Sequence, residues 1–225
     1  MLKTRFGLTG NQLKIIAMIS MTLDHIGVYL LPQWHFLRIL GRLAMPIYAY
    51  MIAEGCYYTH SRRDYFLRLA GLALVCQIVY WFAQNSLYQC ILVTFSLSVG
   101  LICLIDKAQQ EKTPGAMLAA VAMLIGTHFI CEWLPQFVPG FHVDYGFFGV
   151  LLPVIVYFGG RDIRAFALGL VILCLSLGGA QWWCLATVPL LALYNGQRGK
   201  AKLGWLFYLY FPLHLVVIYA IGLFL

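Results

Sequence analysis

Several ionisable side chains sit inside long apolar runs of this chain. Lys14, Asp24 and His25 lie in LKIIAMISMTLDHIG, Arg38 and Arg42 in RILGRLAMP, and His214 in FYLYFPLHL, with Glu54 farther along the run of Arg38 and Arg42, and Arg68 and His128 in other runs. A charge at the centre of a bilayer costs about 2.5–3.5 kcal/mol on insertion scales, so the group as a whole points to function. Arg68 and His128, taken singly, read more simply as snorkelling or paired structural residues. Lys14 and His25 are eleven residues apart, almost three helical turns, so both project from one face about 16 Å apart. Met18 and Thr22 lie between them on that face. A cation at one end and an imidazole at depth suit a slot for an extended anionic ligand. Asp24 is rotated about 100° from His25, and neighbours i and i+1 do not face each other, which argues against an Asp–His dyad. Arg38 and Arg42, sharing a face at i, i+4, are the expected partners of Asp24. Tyr210 lies one turn before His214, and Pro212 between them weakens the backbone ladder at a depth where bare carbonyls must face protein or a cavity.

These residues need membrane helices to hold them. Of the 225 residues, 62% are hydrophobic and 10% charged, far from the balance of a soluble domain. A spanning helix takes about 20 mainly apolar residues. Runs at 12–31, 36–58, 65–84, 88–105, 115–134 and 204–225 qualify, and shorter runs at 146–159, 164–178 and 181–194 are candidates. Basic residues decide the orientation. Lys3 and Arg5, Arg62 and Arg63, Lys107 and Lys112, Arg161 and Arg164, and Arg198, Lys200 and Lys202 occupy alternate loops, while the loops near 32–35, 85–87, 135–145 and 178–181 carry no Lys or Arg. If all nine runs cross, the positive-inside rule puts the N-terminus in the cytoplasm and the C-terminus outside. The expected fold is thus an all-α polytopic membrane protein of about nine transmembrane helices, a single domain over 1–225. Helix one inserts without a cleavable signal, and Pro46 is expected to kink helix two.

The net charge of +7 does not call for a nucleic-acid partner, because the cations sit in short loops where membrane orientation places them. The seven Cys are scattered, form no CxxC pair and read as small packing residues, with no metal-ligand spacing. The outer loop PGFHVDYGFFG holds His142 and Asp144, which an ordinary solvated loop explains equally well. On the cytoplasmic side, YTHSRRDY and LYNGQRGKAK are rich in hydrogen-bond donors. Orientation explains most of that charge, and it also suits the phosphates of a nucleotide-like cofactor.

The ordered motifs LTGNQLKIIAMISMTLDHIG, LRILGRLAMPIYAYMIAEG, YTHSRRDYFLRL, DYGFFGVLLPV, LALYNGQRGK and FYLYFPLHL resemble the TraX family of conjugal-transfer membrane proteins nearly end to end. The resemblance implies a bacterial inner-membrane enzyme that acetylates the N-terminal amine of conjugative pilin. It also implies kinship with the wider transmembrane acyltransferases, which often carry a basic residue, ten residues and then His in their first helix, here Lys14 and His25. In that group this His activates the acceptor or carries the acyl group, and a cytoplasmic thioester, here acetyl-CoA, is the donor. An α-amino group has a pKa of about 7.7–8, within reach of a histidine base. On this reading His25 takes the proton, and Arg42 or a Tyr210/His214 donor stabilises the tetrahedral oxyanion. Asp24 braces the arginines. Lys14, Arg62, Arg63 and Arg198 face the CoA phosphates, with Arg38, Glu54 and Asn195 completing the cofactor-binding set, and no metal takes part. The acceptor, pilin or another membrane or periplasmic amine, enters from the outer side or the bilayer. Direct transfer is favoured over an acetyl-His25 intermediate.

Three other classes compete. Buried Asp24, His25 and Arg42 suit a proton-coupled transporter equally well. His25, His128 or His214 on two helices could ligate a haem. A pilus-assembly factor without catalysis is the fourth reading.

Overall fold

The computed structural model describes residues 7–201 and 203–224. Lys3, Arg5 and Lys202, assigned above to the cytoplasmic side, lie outside the described residues. The chain forms two compact units, one from Met1–Met51 with Leu170–Leu225 and one from Ile52–Gly169.

The first unit is organised around α1 (Gly10–Tyr29). Its start is a capping box: the Gln12 backbone N–H donates to Thr9 Oγ1 at 3.3 Å, and the Thr9 N–H donates to Gln12 Oε1 at 2.8 Å. Two N–H groups that the first helical turn leaves without intrahelical partners find them in the loop before α11 (Gly204–Gly222). Gly10 N donates to the Gln197 carbonyl at 2.8 Å and Asn11 N to that of Arg198 at 3.0 Å. Twenty residues give α1 about 30 Å, the thickness of a hydrocarbon core.

Helix two is broken rather than kinked. α2 (His35–Gly41) and α3 (Ala44–Tyr58) are separated at Arg42–Leu43, four residues before the expected Pro46. Pro46 has no N–H, so the Arg42 carbonyl loses its intrahelical donor and instead lies 3.2 Å from the Cys184 thiol. Ser20 Oγ of α1 donates to the Leu40 carbonyl at 2.6 Å and lies 3.2 Å from that of Gly41. α1 and α2 can meet this closely because position 41 is glycine. A Cβ there would overlap the Asp24 carboxyl group. Gly41→Ala is therefore expected to destabilise the protein by about 1–3 kcal/mol, the scale of overpacking, and to displace Asp24. A thermal unfolding midpoint in detergent equal to that of the parent chain would show that the two helices slide apart freely.

The run at 181–194 is not one α-helix. Gly178 and Gly179, with φ of +66° and +54°, turn the chain after α9 (Ile163–Leu177). A 3-10 helix over Gly179–Ala186 follows, then the short α10 (Thr187–Ala192). Cys174 and Cys184 fasten the 3-10 segment, with sulfurs 3.2 Å from the Gln181 carbonyl and 3.3 Å from Gln181 Oε1 respectively.

In the second unit α5 (Ile91–Glu111) packs against α4 (Arg62–Gln84), α6 (Pro114–His128) and α8 (Gly146–Phe158). After α6 a π-helical turn, Phe129–Trp133, leads into α7 (Leu134–Phe137). That turn sets Glu132 at the start of α8, where its carboxylate accepts the Phe147 N–H at 3.0 Å, a favourable place for an anion. The fold is not wholly α-helical: β1 (Tyr88–Gln89) and β2 (His142–Val143) pair in parallel. The Tyr88 hydroxyl donates to Asp144 Oδ1 at 2.6 Å. Burial and the Asp144 carboxylate push the Tyr88 phenol up, so it stays protonated as that donor. In the loop before α9, the Arg164 backbone N–H and guanidinium hold the Asp162 carboxyl below its usual range.

His35–Tyr58, Arg62–Phe82, Ile91–Glu111 and Pro114–Phe137 are long and apolar enough to cross a membrane, with shorter apolar helices at Gly146–Phe158, Ile163–Leu177 and Leu209–Gly222. α4 and α6 leave Leu67, Leu74, Ile78, Leu118, Val121 and Ile125 exposed, more apolar surface than a water-facing helix carries. The chain is an all-α membrane protein apart from the two short strands.

Candidate active site

The face of α1 singled out by its spacing is the face that meets α11. Lys14 Nζ lies 5.2 Å from the centre of the Phe207 ring. Thr22 Oγ1 donates to the Met18 carbonyl at 2.9 Å and is hydrogen-bonded to the Tyr210 hydroxyl. His25 Nδ1 lies 3.0 Å from His214 Nε2. Residues 14, 22 and 25 thus meet 207, 210 and 214 in ascending order, so α1 and α11 run parallel, with Phe207, Tyr210 and His214 on one stripe at helical spacing. Tyr210 stacks on His214, ring centres 5.1 Å apart and planes 4° apart, and Tyr29 stacks on His25 at 6.1 Å. His214 Nδ1 is 2.9 Å from the Tyr210 carbonyl. His214 is buried and His25 half-buried.

Around α1 from this seam, Asp24 faces α2. Arg38 Nη1 donates to Asp24 Oδ2 at 2.7 Å and Arg42 Nη2 to Oδ1 at 2.6 Å. Arg42 Nε also donates to the Arg38 carbonyl at 3.2 Å. One carboxylate holds two guanidiniums, leaving one net positive charge beside the histidines. Burial here is compensated by charge-assisted bonds, as a low-dielectric site requires.

At the N-terminal end of α1, the exposed Arg198 lies in the loop whose carbonyls accept the first N–H groups of the helix, its own carbonyl taking that of Asn11, and Lys14 follows one turn on. Neither has a carboxylate ion-pair partner among the described residues. Two cations at one end of a helix, without a carboxylate partner among the described residues, suit an anion. Asn195, read from the sequence as a cofactor contact, is spent on the loop itself. Its Nδ2 donates to the Gly7 carbonyl at 3.3 Å and its Oδ1 accepts the Gln197 N–H at 3.0 Å.

The remaining candidates belong to the second unit. Arg62 caps the end of α3 by donating to the Cys56 carbonyl at 3.1 Å, forms an ion pair with Asp106 and donates to the Tyr157 hydroxyl at 2.6 Å. Arg63 is exposed. The buried Glu54 accepts from Arg161 Nη1 at 2.9 Å, and the Arg161 guanidinium stacks 3.7 Å over the Tyr57 ring. Arg161→Ala is expected to cost about 2 kcal/mol, less than a fully buried pair because Arg161 keeps some solvent access. An unchanged unfolding midpoint would mean the pair holds nothing together. His128 is exposed and meets Phe147 edge-on at 4.9 Å.

A haem between His25 and His214 does not fit this geometry. Two metal–nitrogen bonds of about 2.0–2.1 Å need the nitrogens roughly 4 Å apart, and these are in direct hydrogen-bond contact. No group of three or more His, Cys, Asp or Glu among the described residues could hold a metal ion.

Apolar spanning helices, a hydrogen-bonded imidazole pair and an adjoining arginine–aspartate triad define a membrane protein with an internal site able to move a proton. Residues 9–222 match the family model described as TraX protein, and the chain belongs to that family. A probable fimbrial assembly protein, FimC of serogroup H1 from Dichelobacter nodosus, is 26% identical over 248 aligned positions, covering 95% of this chain and 96% of that protein. A stretch of 45 residues is 47% identical to the uncharacterized protein RP591 of Rickettsia prowazekii (strain Madrid E), covering 20% of this chain and 18% of that protein. No solved structure matches the chain.

Proposed function

We propose that the chain is an inner-membrane N-acetyltransferase of pilus assembly, moving an acetyl group from cytoplasmic acetyl-CoA to the N-terminal amine of a pilin subunit. The observation that carries this reading is the α1–α11 seam: Lys14 and Arg198, without carboxylate partners among the described residues, at one end, and the His25–His214 pair about three helical turns from Lys14. The cations suit the CoA phosphates, and the pantetheine arm is long and thin enough to run along the seam to His25. Membership of the TraX family and the likeness to a fimbrial assembly protein support a pilin as acceptor.

A thioester is already activated, so the site has two tasks. His25 takes the proton of the attacking amine as its nitrogen bonds to the thioester carbonyl carbon. The net positive charge of Arg38, Arg42 and Asp24 stabilises the tetrahedral oxyanion. When the C–S bond breaks, the imidazolium returns its proton to the departing CoA thiolate. The products are an amide and a thiol, and no metal is needed.

This reading includes nine crossings with the N-terminus in the cytoplasm. The parallel run of α1 and α11 supports it, since two helices that cross in the same direction must have an odd number of crossings between them, and nine crossings put seven between the first and the last. Exposed Trp34, Trp182 and Trp183, at the ends read as outer, suit the headgroup layer.

The test uses inverted inner-membrane vesicles that carry the chain and a pilin subunit. Acetyl-labelled CoA added from outside, which is the cytoplasmic face, is expected to label the pilin. Equal labelling in vesicles without the chain would refute the assignment. Solute uptake driven by a pH gradient, with no labelling, would favour a transporter.

A further inference from the structure

The hydrogen bonds around the two histidines fix which nitrogens carry protons. A carbonyl oxygen only accepts, so His214 Nδ1, 2.9 Å from the Tyr210 carbonyl, carries a hydrogen. In the neutral ring the other nitrogen, Nε2, is then a lone-pair acceptor. His25 Nδ1, 3.0 Å from it, must therefore be the donor of that bond. The basic lone pair of His25 is left on Nε2.

We infer that His214 is a positioning residue that holds His25 in its Nδ1–H tautomer, with Nε2 as the nitrogen that accepts the proton of the substrate. His214 thus takes the part an orienting carboxylate plays beside a catalytic histidine, as a neutral ring tied to a backbone carbonyl. When His25 Nε2 gains a proton, its Nδ1–H donates more strongly to His214 Nε2, and the pair spreads the new charge without moving a heavy atom. The stacked Tyr210 ring holds His214 in plane. Its hydroxyl is engaged with Thr22, whose own hydrogen goes to the Met18 carbonyl, so the Tyr210 proton points to Thr22. Both His214 nitrogens and the Tyr210 hydroxyl are committed within the seam, which assigns oxyanion stabilisation to the arginines. Asp24 is bound by Arg38 and Arg42, and His25 draws its orientation from α11.

This inference deepens the reading of His25 as a base, but its test reads the rings themselves. The full chain in detergent, with 15N-labelled histidine, is expected to show two neutral histidines in the Nδ1–H tautomer, the minor form of free imidazole in water. A through-bond coupling should join Nδ1 of one to Nε2 of the other. His214→Ala should abolish the coupling, return His25 to the Nε2–H form and lower acetyl transfer roughly 10- to 100-fold, the scale for partners that orient a functional imidazole. His214→Gln, whose amide oxygen can accept from His25 Nδ1, should recover part of the activity and keep the tautomer. An Nε2–H His25 in the parent chain, or a His25 spectrum unchanged in both variants, would overturn the inference. Coupled Nδ1–H rings in a chain that transfers no acetyl group would leave the inference standing and refute the acetyltransferase reading.

Discussion

His25→Ala is expected to reduce pilin acetylation by about 10²–10⁴-fold, the range attributed to a well-placed general base. The fold should survive. His25 is half-buried, its one hydrogen bond to α11 is between neutral rings, and the braces of α1 lie elsewhere: the capping box at Thr9, Ser20 on the α2 carbonyls, and Asp24 on two arginines. The loss should appear in the transfer rate rather than in the amount of protein in the membrane. Equal acetylation by His25→Ala and the parent chain would remove His25 from the chemistry. A variant missing from the membrane would be uninformative, so His25→Gln, close in size and polar, belongs beside it and is expected to be just as inactive.

Asp24→Asn is expected to be the most destabilising polar substitution in the first unit. The carboxylate separates two guanidiniums, and without its charge Arg38 and Arg42 repel each other within a bilayer. Removing one partner of a buried ion pair costs about 3–5 kcal/mol. The lower end applies, because the Arg38 side chain is 37% exposed and the Arg42 side chain only 10%. The same contrast predicts that Arg38→Gln costs about 1 kcal/mol or less, as for a solvent-reached pair, and that Arg42→Gln costs more. Thermal unfolding in detergent orders the three variants. A midpoint for Asp24→Asn above that of Arg38→Gln would contradict the geometry. Acetylation should fall in Arg42→Gln as well, since that guanidinium contributes to oxyanion stabilisation.

Much of this site was legible in the sequence because its logic is helical phase. The spacings of eleven residues from Lys14 to His25, four from Arg38 to Arg42 and one from Asp24 to His25 determine which side chains share a helix face. The partner of His25 was not legible: His214 is 189 positions away, and no local pattern says which helix α1 meets. A signal was nonetheless present, since Phe207, Tyr210 and His214 form a stripe at helical spacing that carries the one histidine of α11. The loop bonds of Asn195 were not legible for a related reason. Composition marks it as a donor, but only the fold shows that it secures the loop against Gly7. The kink expected at Pro46 is a break four residues earlier, because proline acts on the carbonyl it leaves without a donor. The apolar run at 181–194 has the hydropathy of a crossing helix, yet the Gly178–Gly179 turn leads into a tighter 3-10 path that hydropathy does not distinguish. The partnership of Glu54 with Arg161 joins residues 107 positions apart and carries no sequence signature either.

The acetyltransferase account stands most directly on the mass of the pilin N-terminus. Intact pilin should be purified from otherwise identical cells that express the parent chain, its His25→Ala variant or no chain. The account predicts one acetyl group on the N-terminal amine with the parent chain and a free amine in the other two. Acetylated pilin in cells that lack the chain, or a free amine in cells that express it, would contradict the account.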